Sequence, residues 1–301
     1  MEEYEFECYK KAGEIVIKTR EFIRNYIKKD MKLFDLAESI EDKIRELGGE
    51  VAFPVNLSIN EIAAHYTPLV NDENIVSGLL KVDFGVCVDG FICDNAICFD
   101  FSEGNKFREM IELNKKILKE VGGGLVFGSK VKDVGDIASS CLKEFNLENG
   151  SNYTLVNSLC GHGLGKDLIH TGLIIPNYKN NNLNELSGAF AIEPFVTIGS
   201  GEIYEGVPGG IYRLNNNSLV RDRDARKILE YIKKNYKSRP FCARWLFKEG
   251  FEKINFCLRI LEKQGIIYQY PVLVERTKSV VSQVENSFVV FDKKIWCISC
   301  E

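Results

Sequence analysis

KVDFGVCVDGFICDNAICFD, residues 81–100, gathers apolar residues on both sides of a single Asp-Gly step. Val82, Phe84, Val86 and Val88 lead into Asp89-Gly90, and Phe91, Ile92, Ala96, Ile97 and Phe99 lead out of it. An Asp-Gly pair between two such runs predicts a β-hairpin with a two-residue turn. Folding about that turn brings Asp83 and Asp94, eleven positions apart in the chain, to nearly opposite places on neighbouring strands. If they share a face, their side-chain stems stand roughly 5 Å apart. Two carboxylates at that range repel unless something cationic lies between them. The plain alternative is one exposed strand acid and one turn acid, and the rest of the chain decides between the two.

Three hundred and one residues, 45% hydrophobic and 27% charged, are ordinary for a globular protein and enough for a sizeable core. A formal net charge of −4 and a pI near 5.7 give no electrostatic reason to expect nucleic acid or an anionic membrane surface. No apolar run approaches the roughly 20 residues of a membrane helix. The opening EEYEFE segment is acidic, where a secretory signal has a basic start and an apolar core, so a cytoplasmic location is expected. Ten cysteines spread through apparent strands and helices read as small buried apolar side chains in a reducing compartment. Cys297 and Cys300, in CISC, have the spacing of a redox or zinc half-site, but no second half-site accompanies them.

Helical spacing of Ala12, Ile15, Val16, Phe22, Ile23, Tyr26 and Ile27 predicts a helix over 12–28, and a second follows at about 33–47 before Gly48-Gly49. A strand over 51–57 contains Pro54 and so belongs at an edge. Beyond the hairpin, a helix at about 106–121 ends in three glycines, and a similar pattern begins again with a helix at 132–147 and strands at 153–160 and 189–198. Two related halves forming one sheet covered by helices is the expectation. Residues 222–268 read as three short helices, a compact insert similar in outline to a winged-helix module, ending in a strand and a turn at GIIYQYPVL. Strands at 279–291 and 294–299 close a single domain spanning 1–301.

The chain has three histidines, His65, His162 and His170. His162 sits in CGHGLG, where glycines let the backbone and imidazole approach a neighbour closely. Glu193 in AFAIEPF and Glu285 in VVSQVENSFVVF are acids inside apolar strands, as Asp83 and Asp94 are. Unpaired, each costs several kcal/mol to bury. Four such carboxylates and one neutral imidazole become reasonable if they converge on a pair of divalent ions such as Mn, Fe, Co or Zn. A metal pair holding a bridging hydroxide and polarising a carbonyl is the chemistry of metal-assisted hydrolysis. His65 and His170 then remain to position substrate or stabilise a tetrahedral intermediate.

The series FPVNLSINEIAAHYTP, KVDFGVCVDGFICDNA, GHGLGKDLIHTG, AIEPF and SQVENS, in this order, resembles methionine aminopeptidase, specifically its type 2 branch, from about residue 5 to the C-terminus. The insert at 222–268 is similar to the one that separates type 2 from type 1, and the lack of a long charged N-terminal extension resembles the archaeal form. The resemblance implies an α+β "pita-bread" fold with pseudo-twofold halves, an antiparallel sheet covered by helices. It implies removal of the initiator methionine from nascent chains, at the ribosome, by a monomer. Two divalent metals are implied on Asp83, Asp94, His162, Glu193 and Glu285, with Asp94 and Glu285 bridging, Asp83 on one ion, and His162 with Glu193 on the other. Glu193 is further implied as proton shuttle, His65 and His170 as contacts to the scissile amide and the intermediate, and Phe53, Pro54, Ile169 and Phe195 as the methionine pocket. One departure stands out: Asn286-Ser287 follows Glu285 where the family usually has His-Thr, which puts the support of that ligand in question. Two other readings share the fold, a proline-directed peptidase using the same ligands and a non-catalytic binding protein.

Overall fold

The computed structural model describes residues 1–300. Two helices, α1 (Glu3–Tyr26) and α2 (Leu33–Glu46), open the chain. α1 begins well before the first expected position, because Phe6 and Tyr9 extend the buried stripe of Ala12, Val16 and Ile23 and the Glu5 carboxylate accepts from the Glu2 amide at its start.

The first-half strands are β1 (Glu50–Val51), β2 (Asn56–Ile59), β3 (Ile62–Ala64), β4 (Gly78–Val88) and β5 (Phe91–Phe101). What reads as one strand over 51–57 is two, interrupted at Pro54, which has no N–H to give a ladder. β1 and β2 both pair antiparallel with β4. The hairpin of β4 and β5 closes from Val88 opposite Phe91. Asp89 and Gly90 both have positive φ, 51° and 90°, as the primed two-residue turns require. The register sets Gly85 opposite Asp94 and Asp83 opposite Ala96. Asp83 and Asp94 are therefore diagonal neighbours on one face, with stems roughly 7–8 Å apart, and not a facing pair. The wider spacing suits groups that must admit something between them.

The second half supplies α3 (Arg108–Gly124), α4 (Val131–Asn149), β6 (Thr154–Leu155), β7 (Cys160–Leu164), β8 (Ile174–Pro176), β9 (Ala189–Ile192), β10 (Phe195–Thr197) and β11 (Ile203–Leu214). The three glycines do not break α3 but form its last turn, where Gly122 lies close against the ring of Phe288. The insert contributes α5 (Arg223–Asn235), β12 (Phe241–Cys242), α6 (Ala243–Lys248) and α7 (Ile254–Lys263). β13 (Ile267–Glu275), β14 (Val281–Gln283), β15 (Asn286–Phe291) and β16 (Lys294–Cys297) complete the chain. GIIYQYPVL is thus mostly one strand, β13, whose partner β11 tolerates its glycines and Pro208 by shifting register twice.

Hydrogen bonding divides the strands into four sheets where one is expected: β1-β4-β2 with β5 on β4, β14-β10-β6, β12-β11-β13-β3, and β16-β15-β9-β7-β8. An isolated bridge between Ala96 and Glu285 ties the hairpin to the β15 segment. One buried cluster joins α1, α2, the hairpin and α5–α7 through residues such as Val16, Ile40, Val86, Ile232, Leu246 and Leu258. A second joins α3 and α4 to β9, β10 and β15 through Leu113, Val134, Phe190, Val196 and Phe288. The insert therefore packs as part of the first half's core. Cys297 and Cys300, counted above with the cysteines, are joined by a disulfide at the C-terminal turn, while the other eight are free. Among the described residues no helix is long and apolar enough to cross a membrane.

Candidate metal centre

A cavity of about 390 Å³ is lined by Asp83, Asp94, His162, Glu193 and Glu285 together. β4 and β5 carry the two aspartates and β7 the histidine, while both glutamates fall in breaks between strands. Glu193 is followed by Pro194, which cannot continue the β9 ladder. The chain there is held by Asn177 Nδ2 donating to the Glu193 carbonyl at 3.0 Å and Asn114 Nδ2 to that of Pro194 at 2.9 Å. Glu285 gives its N–H to Ala96 at 3.0 Å, so it is fixed two residues beyond Asp94 on β5.

Ligand atoms of Asp94, His162 and Glu285 all lie within 4.8 Å of one another. His162 Nε2 stands 3.6 Å from Asp94 Oδ2 and 3.7 Å from Glu193 Oε1. Gln283 Nε2 sits between the outer pair, 3.5 Å from Asp83 Oδ2 and 3.4 Å from Glu193 Oε2.

Burial dominates the electrostatics. It pushes Asp83 up to about 7. Asp94, Glu193 and Glu285 are raised well above the usual carboxylate range, first by burial and then by the charge of neighbouring carboxylates, Asp83 among them. His162 is lowered to about 3, by burial first and then by His170, whose ring centroid is 4.2 Å away. It is a neutral imidazole at physiological pH, as a metal ligand must be. Asp83 Oδ1, Asp94 Oδ1 and Glu285 Oε1 are buried without a hydrogen-bond partner. Buried carboxylate oxygens are normally satisfied. Oxygen atoms left open beside a neutral nitrogen, on residues that all line one cavity, form a donor set that fits divalent ions.

His65 and His170 line the same cavity, as do Phe53, Ile169 and Phe195. Pro54 does not; it lies buried behind the lining, its carbonyl accepting from Asn56 Nδ2 at 3.0 Å. Three polar supports act in ways the sequence alone does not reveal. Gln283 is one, recognisable only as an amide two positions before Glu285 in SQVENS. Ser287 is another: its Oγ accepts from the Asp94 N–H at 2.8 Å and donates to the Asp94 carbonyl at 2.9 Å. The Asn286 amide lies 3.2 Å from Asn95 Nδ2 and 3.1 Å from Ser299 Oγ. The Asn-Ser departure thus keeps a hydroxyl on the bridging segment and fills the neighbouring place with an amide pair.

Residues 7–222 match the profile of metallopeptidase family M24. A methionine aminopeptidase of Methanocaldococcus jannaschii is 36% identical over 97% of this chain and 98% of its own length. Methionine aminopeptidase 2 of Candida albicans is 29% identical over 95% of this chain and 68% of its own. Among solved structures, a thermophilic Arx1 aligns with a TM-score of 0.80 at 17% identity, covering 99% of this chain and 91% of that one. The methionine aminopeptidase of Rickettsia prowazekii aligns at 0.67 and 18% identity, covering 100% and 98%. At such identities the structural likeness shows the pita-bread fold. The likeness in sequence reaches further, and the chain belongs to metallopeptidase family M24, among the methionine aminopeptidases.

Proposed function

We propose that the metal-dependent removal of N-terminal methionine by this enzyme is of the type 2 kind and uses two divalent ions, cobalt, manganese, iron or zinc, held by Asp83, Asp94, His162, Glu193 and Glu285. The carrying observation is the set of buried, unpartnered carboxylate oxygens converging beside a neutral imidazole. Bound there, divalent ions supply Lewis-acid polarisation of the scissile carbonyl and make water acidic at neutral pH. Asp94 and Glu285, both nearly fully buried and both joined to β5, would be shared between the ions in this reading, with Asp83 holding one and His162 and Glu193 the other.

Glu193, which lines the cavity and would be ionised once divalent ions neutralise the cluster, is the proton shuttle in this reading. It takes a proton from the attacking water and returns it to the amine nitrogen as the carbon–nitrogen bond breaks. His65, lowered by burial to about 4, is neutral and donates an N–H toward the amide or the developing oxyanion, as does His170. Phe53, Ile169 and Phe195, with Tyr270 beside them, receive the methionine side chain. Support for the type 2 branch comes from the helices at Arg223–Lys263, between Glu193 and Glu285, and from the relative in Candida albicans. A single catalytic unit with its insert at 222–268, working as a cytoplasmic monomer on nascent chains at the ribosome, completes the reading.

The test is release of methionine from Met-Ala-Ser, run beside an X-Pro dipeptide, with metal content counted after loading. Methionine release that needs metal, with two ions per chain, is expected. Full metal occupancy without methionine release, or cleavage of the proline substrate alone, refutes it.

A further inference from the structure

Resting on the reading above that His65 meets substrate and Phe53 walls the methionine pocket, we infer that Arg244 of the insert and Glu41 of α2 are positioning residues that hold both in place. Glu41 is 0% exposed and Arg244 2%. Glu41 Oε1 accepts from Arg244 Nη2 at 2.8 Å and from the Val55 N–H at 3.2 Å. Its Oε2 accepts from Arg244 Nη1 at 2.9 Å and Trp245 Nε1 at 2.6 Å. Arg244 also reaches the Pro68 carbonyl through Nε at 3.3 Å and Thr67 Oγ1 through Nη2 at 3.4 Å. Thr67 Oγ1 in turn donates to the Val55 carbonyl at 2.9 Å.

Val55 lies two residues past Phe53, and Thr67 two past His65. One buried ion pair thus fastens both segments of the pocket, each by its backbone or first side-chain bond beyond the working residue. His65 needs such fastening, since its φ is 64°, a left-handed value that a β-carbon disfavours. On its far side Gly209 packs so closely that a β-carbon there would stand 2.1 Å from the His65 carbonyl oxygen. The segment is held between β11 and the Arg244 cluster.

Stability alone is a weak reason for this pair. Burying both charges is expensive, and apolar side chains of equal volume are often at least as stable. What an apolar cluster cannot provide is an acceptor aimed at Val55 N–H and donors aimed at Thr67 and Pro68. The insert, in this view, is a structural part of the substrate site although none of its helices lines it.

The experiment compares Arg244→Lys and Thr67→Val with Leu258→Ala, a cavity in α7 remote from the pocket, all fully metal-loaded and well below their unfolding temperatures. Arg244→Lys loses the bidentate fork and is expected to raise KM for Met-Ala-Ser by about 10-fold or more, as small misplacements do. Its preference for methionine over leucine at the first residue is expected to fall, with two ions still bound. Thr67→Val, which removes only the hydroxyl, is expected to shift both in the same direction by a smaller factor. Leu258→Ala is expected to lose stability while keeping KM and preference. Amide hydrogen exchange is expected to quicken at 53–57 and 65–68 together in Arg244→Lys. Wild-type KM and preference in Thr67→Val, or the same changes in Leu258→Ala, overturn the inference. Should Arg244→Lys fail to fold, Thr67→Val decides alone. Absence of methionine release from the wild type would instead refute the function proposed above.

Discussion

Ser287→Ala is expected to weaken both the fold and the metal centre, although Ser287 meets Asp94 only at its backbone. The side chain is fully buried, and its hydroxyl occupies both polar groups of the Asp94 peptide, at 2.8 and 2.9 Å. These groups have no place in the hairpin ladder. Asp94 stands opposite Gly85, and Gly85 turns its carbonyl outward to Ala52 N at 3.0 Å, so the Asp94 amide faces away from β4. Alanine would leave one donor and one acceptor buried without partners. At about 1–3 kcal/mol each, the loss is about 2–6 kcal/mol, a large share of a typical domain's net stability. The freed backbone carries a proposed bridging carboxylate, and changes of this kind lower metal affinity by about 10–100-fold. Urea unfolding of the metal-free protein reads the first quantity and calorimetric titration with manganese the second. A stability loss below about 0.5 kcal/mol together with unchanged manganese affinity would show that the Asp94 amide needs no hydroxyl, and would refute the reasoning.

Asp94→Asn should lower metal affinity at least about 10-fold by weakening the shared ligand, whereas His65→Ala should bind two ions normally and lose about 100-fold in turnover; metal analysis beside the Met-Ala-Ser assay separates them, and metal loss in His65→Ala counts against its assignment. Gly85→Ala would place a β-carbon 2.4 Å from Phe53 Cε1, so the ring must move, and a raised KM for methionine peptides with little change in metal content is the expected result. For pH, the folded metal-free protein keeps protons on Asp83, raised to about 7, and on Asp94, Glu193 and Glu285, raised well above the usual carboxylate range by burial, that the unfolded chain has already released. Stability therefore falls as pH rises through those raised values. His65 and His162, lowered to about 4 and about 3, act in the opposite sense, but only below the unfolded value of 6.5. From about pH 6.5 to 7 the carboxylates decide, because above that range the buried Lys81, lowered to about 7, acts in the opposite sense; the metal-free melting temperature should drop across this window while metal binding releases protons, and a melting temperature that climbs across it would contradict the carboxylate assignment.

The proposed ligands stand out in the sequence because each breaks a local rule, and the hydrogen bonds that support them do not show there. Asp83, Asp94, Glu193 and Glu285 put charge into apolar strands, and His162 sits between glycines. Such conflicts between neighbours and function are visible without a fold. The Asp-Gly turn even fixed the hairpin register, missing only that Asp83 and Asp94 meet on the diagonal. By contrast, Gln283 is an unexceptional strand residue and Ser287 is visible in the sequence only as a departure, and the contacts that give both their roles come from chain segments about two hundred residues away. Glu41 and Arg244 look like ordinary helix-surface charges, and only a contact across 203 residues makes them a buried pair. The same logic explains the errors in the fold. Three glycines signal a break, yet α3 runs through them because Phe288, from β15, packs against Gly122. The strand over 203–214 does not show in the sequence at all, because Pro208 and its glycines obscure it, and β11 accommodates them only by slipping register against β13. Local pattern thus marks the groups that must carry charge into the core, whereas the hydrogen bonds that aim those groups are properties of pairing, and the Asn286-Ser287 departure could be judged only once Asp94 was seen across from it.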